Sequence, residues 1–182
     1  AGNYTVTVGA GGAAGTQGNA SATPGANSSI TGFTAIGGGG GAGSYTPTVG
    51  ITGGSGGGGS MGSFYNPYVM RGGFGTDGQG NMGGYAVVLA PYATGWCAGG
   101  GGGAGQIGRS ATNYDTGTSG RGGIGGVGMS LSITGGAVTY GAGGQAYHNN
   151  YGANGTTNSG DGGAGARTPS AVSAGWDGGS GV

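Results

Sequence analysis

The heptapeptide Gly-Gly-Gly-Gly-Gly-Ala-Gly occurs at 37–43 and again at 99–105. A segment without side chains has no apolar face to bury, and glycine costs about 0.5–1 kcal/mol per residue against alanine in a regular element. With 59 glycines in 182 residues, either the chain does not fold or glycine is the material of its interior. Collagen has a comparable glycine content but needs an unbroken Gly-X-Y period and much proline. Five prolines and the run Gly37 to Gly41 exclude it.

Aperiodic glycine enrichment ordinarily marks disorder or a flexible linker, in chains that are charged and poor in aromatics. Here charged residues make up 4% and hydrophobic residues 34%, with ten tyrosines, three phenylalanines and two tryptophans. An ordered chain is therefore expected. Glycines fall into steps of three at Gly9, Gly12, Gly15 and Gly18. Larger residues do the same at Arg121, Ile124 and Val127, and again at Asp161, Ala164 and Arg167.

A period of three is neither helical nor strand-like; it belongs to the left-handed extended helix of the polyproline type. That conformation makes no internal hydrogen bonds, so each N–H and C=O needs a partner on a neighbouring rod. A rod with neighbours on every side must be glycine on every face, whereas a rod at the edge can carry a side chain at each third residue. Both heptapeptides read as interior rods and Arg-Gly-Gly-Ile-Gly-Gly-Val-Gly, 121–128, as an edge rod. Bonds between rods, each worth about 1 kcal/mol net, would offset the entropy that glycine loses.

A second element recurs as Ser-Ile-Thr-Gly or Gly-Ile-Thr-Gly, within the segments starting at Ser28, Val49 and Leu131. With Tyr4 to Gly9 these read as short β-branched strands or extended edges ending in glycine. No segment has helical periodicity. The expected fold is one irregular domain over 1–182, essentially without α-helix: packed left-handed polyglycine helices, a few short β-strands and protruding loops. The loops are the glycine-poor stretches at about 61–71, 85–97, 106–119 and 145–151, marked by proline and asparagine.

Four arginines balance four aspartates, with neither lysine nor glutamate. Such a surface lacks the basic patch that nucleic acid or an anionic membrane requires. No stretch approaches the roughly 18 apolar residues of a membrane span. The chain begins with Ala1 and reads as processed or as an excerpt of a longer protein. Cys97 is the single cysteine, so no disulfide framework exists, and the sequons at Asn3, Asn19, Asn27 and Asn154 are those expected by chance in so Asn- and Thr-rich a chain.

His148 is the single histidine, so a Cys/His or Ser/His/Asp arrangement would need one particular residue of each kind, and no zinc site can be assembled. The aspartates sit apart in glycine-rich surroundings that suit turn hydrogen bonds. No Gly-Lys-Ser/Thr follows the glycine runs, and a GxGxxG match carries no information in this composition. Neither catalysis nor a cofactor nor a metal is expected.

The loops carry the functional signal. Tyrosine with asparagine, serine and tryptophan is the vocabulary of adaptable binding surfaces, and aromatic faces stack on sugar rings. Candidate binding residues are Phe64, Tyr65, Asn66, Tyr68, Arg71, Tyr92, Trp96, Arg109, Tyr114, Tyr147, His148, Asn149, Asn150 and Tyr151. Capping of the rod ends is the competing role for the Tyr/Asn clusters and the favoured one for Met70, Val87, Val88 and Leu89.

Tyr4 to Gly15, then Asn27 to Gly43, then the closing Gly-Gly-Ser-Gly-Val resemble the glycine-rich domains at the ends of bacteriophage tail fibres. The expected architecture is similar to that of the glycine-rich tail-fibre adhesins of T-even-like phages. The resemblance implies a virion tail-fibre tip, extracellular, whose packed polyglycine helices present variable loops to a bacterial surface receptor, either lipopolysaccharide glycan or an outer-membrane protein. It also implies other tail-fibre chains as partners. Members of that group continue past this closing motif into an apolar strand, which again suggests an excerpt. Two other readings remain open: a structural filament or virion subunit, which concentration-dependent assembly would reveal, and an ice-binding protein. Against the last, Thr and Ala do not recur in a regular array.

Overall fold

The computed structural model describes residues 2–15, 21–43, 49–60, 69–87, 98–112, 122–133, 135–146 and 159–162. Consecutive amides of the second heptapeptide show how these residues associate. Gly99 donates to Gly59 O (2.9 Å), Gly100 to Arg109 O (3.0 Å) and Gly101 to Gly144 O (2.8 Å). The series then repeats: Gly102 donates to Gly56 O (2.8 Å), Gly103 to Gln106 O (2.9 Å) and Ala104 to Gly141 O (2.8 Å). Each amide points about a third of a turn from the last, and every third returns to the same neighbour, which is the threefold screw of the polyproline-type helix.

The lattice consists of such rods at 9–15, 21–27, 36–43, 49–52, 56–60, 70–75, 81–86, 98–103, 107–111, 122–128 and 141–146. Side chains are excluded because rods approach within backbone contact. A Cβ at Gly99 would fall on Gly84 O, one at Gly100 on Ile124 O, and one at Gly102 on Asn81 O. The edge rod 122–128 follows its sequence pattern: Gly123, Gly126 and Gly128 are buried, while Ile124 and Val127 are exposed.

The first heptapeptide departs from its interior reading. Gly37 and Gly40 press on the rod 21–27 and Gly39 on Ile51, but Gly38 is exposed, and no described atom lies within 4 Å of a Cβ at Gly41. Two of its three faces are covered. The third, shared by Gly38 and Gly41, opens onto a groove.

Five short strands complete the fold, and no helix occurs among the described residues. β1 (Val6–Thr7), β2 (Ser28–Ile30) and β3 (Phe33–Ala35) form an antiparallel sheet in that order, with Val6 opposite Ile30 and Ile30 opposite Phe33. β4 (Met129–Leu131) pairs antiparallel with β5 (Val138–Tyr140), with Leu131 opposite Val138. Both Ser-Ile-Thr-Gly hairpins turn on a glycine with positive φ, Gly32 at 81° and Gly135 at 108°, a region costly to side chains. The segment from Val49 takes the extended alternative and becomes a rod: Gly50 and Gly53 donate to Arg71 and Phe74, Ile51 and Gly54 to Gly40 and Gly37.

The chain runs up and down between two unlike ends. At one end it reverses through the hairpins 28–35 and 129–140, the bend at 53–55, the turn 76–80 and the bend at 104–106. Polar side chains tie these reversals together: Gln79 Oε1 accepts from Ile36 N (2.7 Å), and Asn81 Nδ2 donates to Gly103 O (2.9 Å) and Ala104 O (3.1 Å). The glycine-poor segments leave from the opposite end.

Candidate functional site

The loop-bearing end is built where glycine gives way to alanine. Met70 and Ala86 exchange backbone bonds of 3.1 and 2.9 Å, Ala111 N donates to Tyr85 O (2.8 Å), Gly123 N to Ala98 O (2.8 Å) and Ala146 N to Gly123 O (2.9 Å). This bonded tier contains the departure points of all the candidate binding segments: Ser60 and Met70 bracket the first, Ala86 and Ala98 the second, Ala111 and Gly122 the third, and Ala146 opens the fourth.

The buried hydrophobic residues among those described are Ala86, Ala111 and Ala146, at 0%, 3% and 4% exposure. All belong to this tier. A single methyl is the largest group that the spacing of the rods admits here, and these methyls form the only apolar floor of the described lattice. Ser60 is also buried at 9%.

Of the candidate binding residues, Arg71 and Arg109 fall within the described part; Phe64, Tyr65, Asn66, Tyr68, Tyr92, Trp96, Tyr114, Tyr147, His148, Asn149, Asn150 and Tyr151 lie outside it. Arg71 and Arg109 occupy rods rather than loops. The rods 70–75 and 107–111 flank the rod 81–86, the first through Met70 and Gly83, the second through Gly108 and Ala111. Arg71 O accepts from Gly50 N (2.9 Å), Arg109 N donates to Ile124 O (2.8 Å), and both residues are exposed. The backbone of each is thus bound into the lattice, and the side chains are left on its surface. Of the proposed rod caps, Met70 and Val87 are described: Met70 sits in the bonded tier, and both it and Val87 are half-buried.

Sequence reasoning overlooked the opposite end. Tyr4, Val6, Phe33 and Ile133 are 70%, 63%, 77% and 85% exposed, on or beside strands that contain no charged residue. The alternation of apolar residues in 4–8, 28–36 and 129–140 was visible, but not that both sheets form one end of the bundle. Among the described residues no group of three or more His, Cys, Asp or Glu could hold a metal ion, and no helix is long and apolar enough to cross a membrane. Asp161 has a structural task, its Oδ1 accepting from Ala142 N at 2.8 Å.

A family model described as a glycine-rich domain matches residues 1–182. No curated protein and no solved structure matches the chain.

Proposed function

The chain belongs to the glycine-rich domain family, and we propose that this member is a phage tail-fibre adhesin, without enzymatic activity, that reads a bacterial surface receptor with the segments leaving its loop-bearing end. The observation that supports this reading is the polarity of the bundle: glycine-poor, tyrosine- and asparagine-rich segments depart from one bonded tier, and short tight reversals occupy the other end. A rigid lattice with adjacent variable loops is the arrangement by which a scaffold supports recognition without altering its own fold. The receptor class is a lipopolysaccharide glycan, which aromatic faces and asparagines suit, or an outer-membrane protein. The implied location is the tip of the virion tail fibre, with other fibre chains as partners.

The test is saturable binding of labelled protein to a panel of bacterial strains. Binding to a subset of strains, lost on replacing Tyr65 and Tyr68 or Tyr147 and Tyr151 by alanine in a still-folded chain, supports the adhesin. Binding unchanged in both double variants refutes it.

The second reading, a structural filament or virion subunit, draws on the hairpin end, where strands without charged residues, exposed apolar side chains and open strand edges resemble an assembly surface. It requires concentration-dependent assembly that charged substitutions at Phe33 and Ile133 abolish.

A further inference from the structure

The rod 81–86 is bonded to the rods 70–75, 56–60, 98–103 and 107–111: Gly83 N donates to Gly73 O (3.0 Å), Gly59 N to Gly84 O (3.0 Å), Gly84 N to Gly100 O (2.7 Å) and Gly108 N to Met82 O (2.9 Å). These neighbours are themselves bonded in succession, through Gly73 N to Gly57 O, Gly99 N to Gly59 O and Gly100 N to Arg109 O. Rods of equal width in that succession enclose half the circumference of 81–86. The rods 70–75 and 107–111 therefore lie on opposite sides of it, in one flat layer.

The outward side of this layer follows residue by residue. A Cβ at Gly83 would fall on Gly57 O and one at Gly84 on Arg109 O, which leaves the third direction of that rod to Met82 and Tyr85. On 70–75, Gly72 faces Gly83 and Gly73 faces Ile51, which leaves Arg71 and Phe74 outward. On 107–111, Gly108 faces Gly100, while Ser110 Oγ accepts from Tyr85 N (3.1 Å) and so shares the side of Tyr85, as does Ile107 three residues before it. Arg109 takes the remaining direction, toward the adjoining flank that carries Ile124.

Register then aligns these side chains into rows. The Met70–Ala86 bridge sets Arg71 opposite Tyr85 and Phe74 opposite Met82. The bonds from Ala111 N to Tyr85 O (2.8 Å) and from Gly108 N to Met82 O set Ser110 level with Tyr85 and Ile107 level with Met82. Arg71, Tyr85 and Ser110 thus form a polar row next to the loop-bearing tier. Phe74, Met82 and Ile107 form an apolar row one threefold step away, about 9 Å at roughly 3.1 Å per residue. Arg71, Phe74 and Ile107 are exposed, and Tyr85 and Ser110 are half-buried. With bonded backbones about 5 Å apart, the polar row is roughly 10 Å wide.

We infer that the row of Arg71, Tyr85 and Ser110 is a subsite for an acidic sugar, a hexose that carries a phosphate or a carboxylate. A guanidinium takes either anion through two parallel hydrogen bonds. The tyrosine beside it offers an aromatic face for the ring, and the serine a hydroxyl for a ring substituent. The apolar row offers no hydrogen bond, so the glycan continues toward the loops. The inference rests on the adhesin reading for its role in attachment and narrows the receptor to a glycan; the site itself does not rest on that reading.

The site is tested on the purified full chain by titrating glucose 6-phosphate and glucuronate while backbone amides are followed by NMR, with glucose and inorganic phosphate alongside. One or both acidic sugars should bind saturably and shift the amides of Gly72, Gly84 and Tyr85; the tighter of the two identifies the anion. Glucose and inorganic phosphate should bind at least about tenfold more weakly, since each lacks one of the contacts. Arg71→Gln, with its thermal melt unchanged, should weaken binding at least about tenfold. Arg109→Gln, which removes the same charge from the adjoining flank, should weaken it much less. Saturation by neither acidic sugar at millimolar concentration, affinity no better than that of inorganic phosphate, or equal losses in the two arginine variants would each overturn the site. The role in attachment is read separately, from cell binding, which Arg71→Gln should weaken by a similar factor. Cell binding unchanged by that substitution, with a positive titration, overturns the role and leaves the site standing. A failed titration with cell binding still lost in the loop variants overturns the site and leaves the adhesin reading standing.

Discussion

Met70 N donates to Ala86 O at 3.1 Å and Ala86 N returns a bond to Met70 O at 2.9 Å, joining the end of one glycine-poor segment to the start of the next. Ala86 is 0% exposed at this junction. The loops are therefore held at their feet by backbone bonds that are independent of loop sequence. Enlarging the alanine should disturb this: Ala86→Leu is expected to destabilise the chain by about 1–3 kcal/mol through overpacking. Chemical denaturation checks the loss, and Ile124→Ala, on an exposed site, should stay within about 0.5 kcal/mol.

Glycine positions should divide sharply by what surrounds them. A Cβ at Gly102 falls on Asn81 O, whereas at Gly136 nothing described lies within 4 Å. Gly102→Ala is expected to cost about 1–3 kcal/mol, and Gly136→Ala to lie within about 0.5 kcal/mol of neutral. Thermal melts of the two variants make the comparison.

Asn81 spans the reversal at 104–106 through its bonds to Gly103 O and Ala104 O. Asn81→Ala removes both donors and is expected to cost about 1–2 kcal/mol. The amides of Gly105 and Gln106, which bond to Val127 O at 2.9 and 3.1 Å, should exchange faster in the same variant.

At Gly32 the constraint is conformational rather than steric: φ is 81° and no described neighbour lies within 4 Å of a Cβ. Gly32→Val is expected to lower stability by about 1–2 kcal/mol, with the loss localised to the β2–β3 hairpin in an exchange measurement.

Much of this fold was legible in the residues, because a threefold lattice writes its period directly into the sequence. Ile124 and Val127 announced an exposed face, and Gly99 to Gly103 an enclosed one. The two heptapeptides nevertheless differ in surroundings although identical in sequence. Whether a glycine face meets another rod or a groove depends on the neighbour, which composition does not encode. For the same reason the local signal of Val49–Gly54, β-branched and ending in glycine, did not distinguish a hairpin from a rod flanked by 36–43 and 70–75. At the candidate site, tyrosine and asparagine marked the segments, but their common origin depends on the parity of chain reversals. Arg71 and Arg109 read as loop residues because they fall in the glycine-poor stretches 61–71 and 106–119; the structure seats them in rods that flank Tyr85.

The central claim is that recognition belongs to the loop-bearing end. It is tested most directly by attaching a large polyethylene glycol to Cys97, next to that tier, or to a cysteine introduced by Ser132→Cys in a Cys97→Ala background, at the hairpin end. Binding to a susceptible strain is then compared for the two conjugates. Blockade at Cys97 with binding retained at position 132 is the expected result; blockade at position 132 with binding retained at Cys97 would contradict the account.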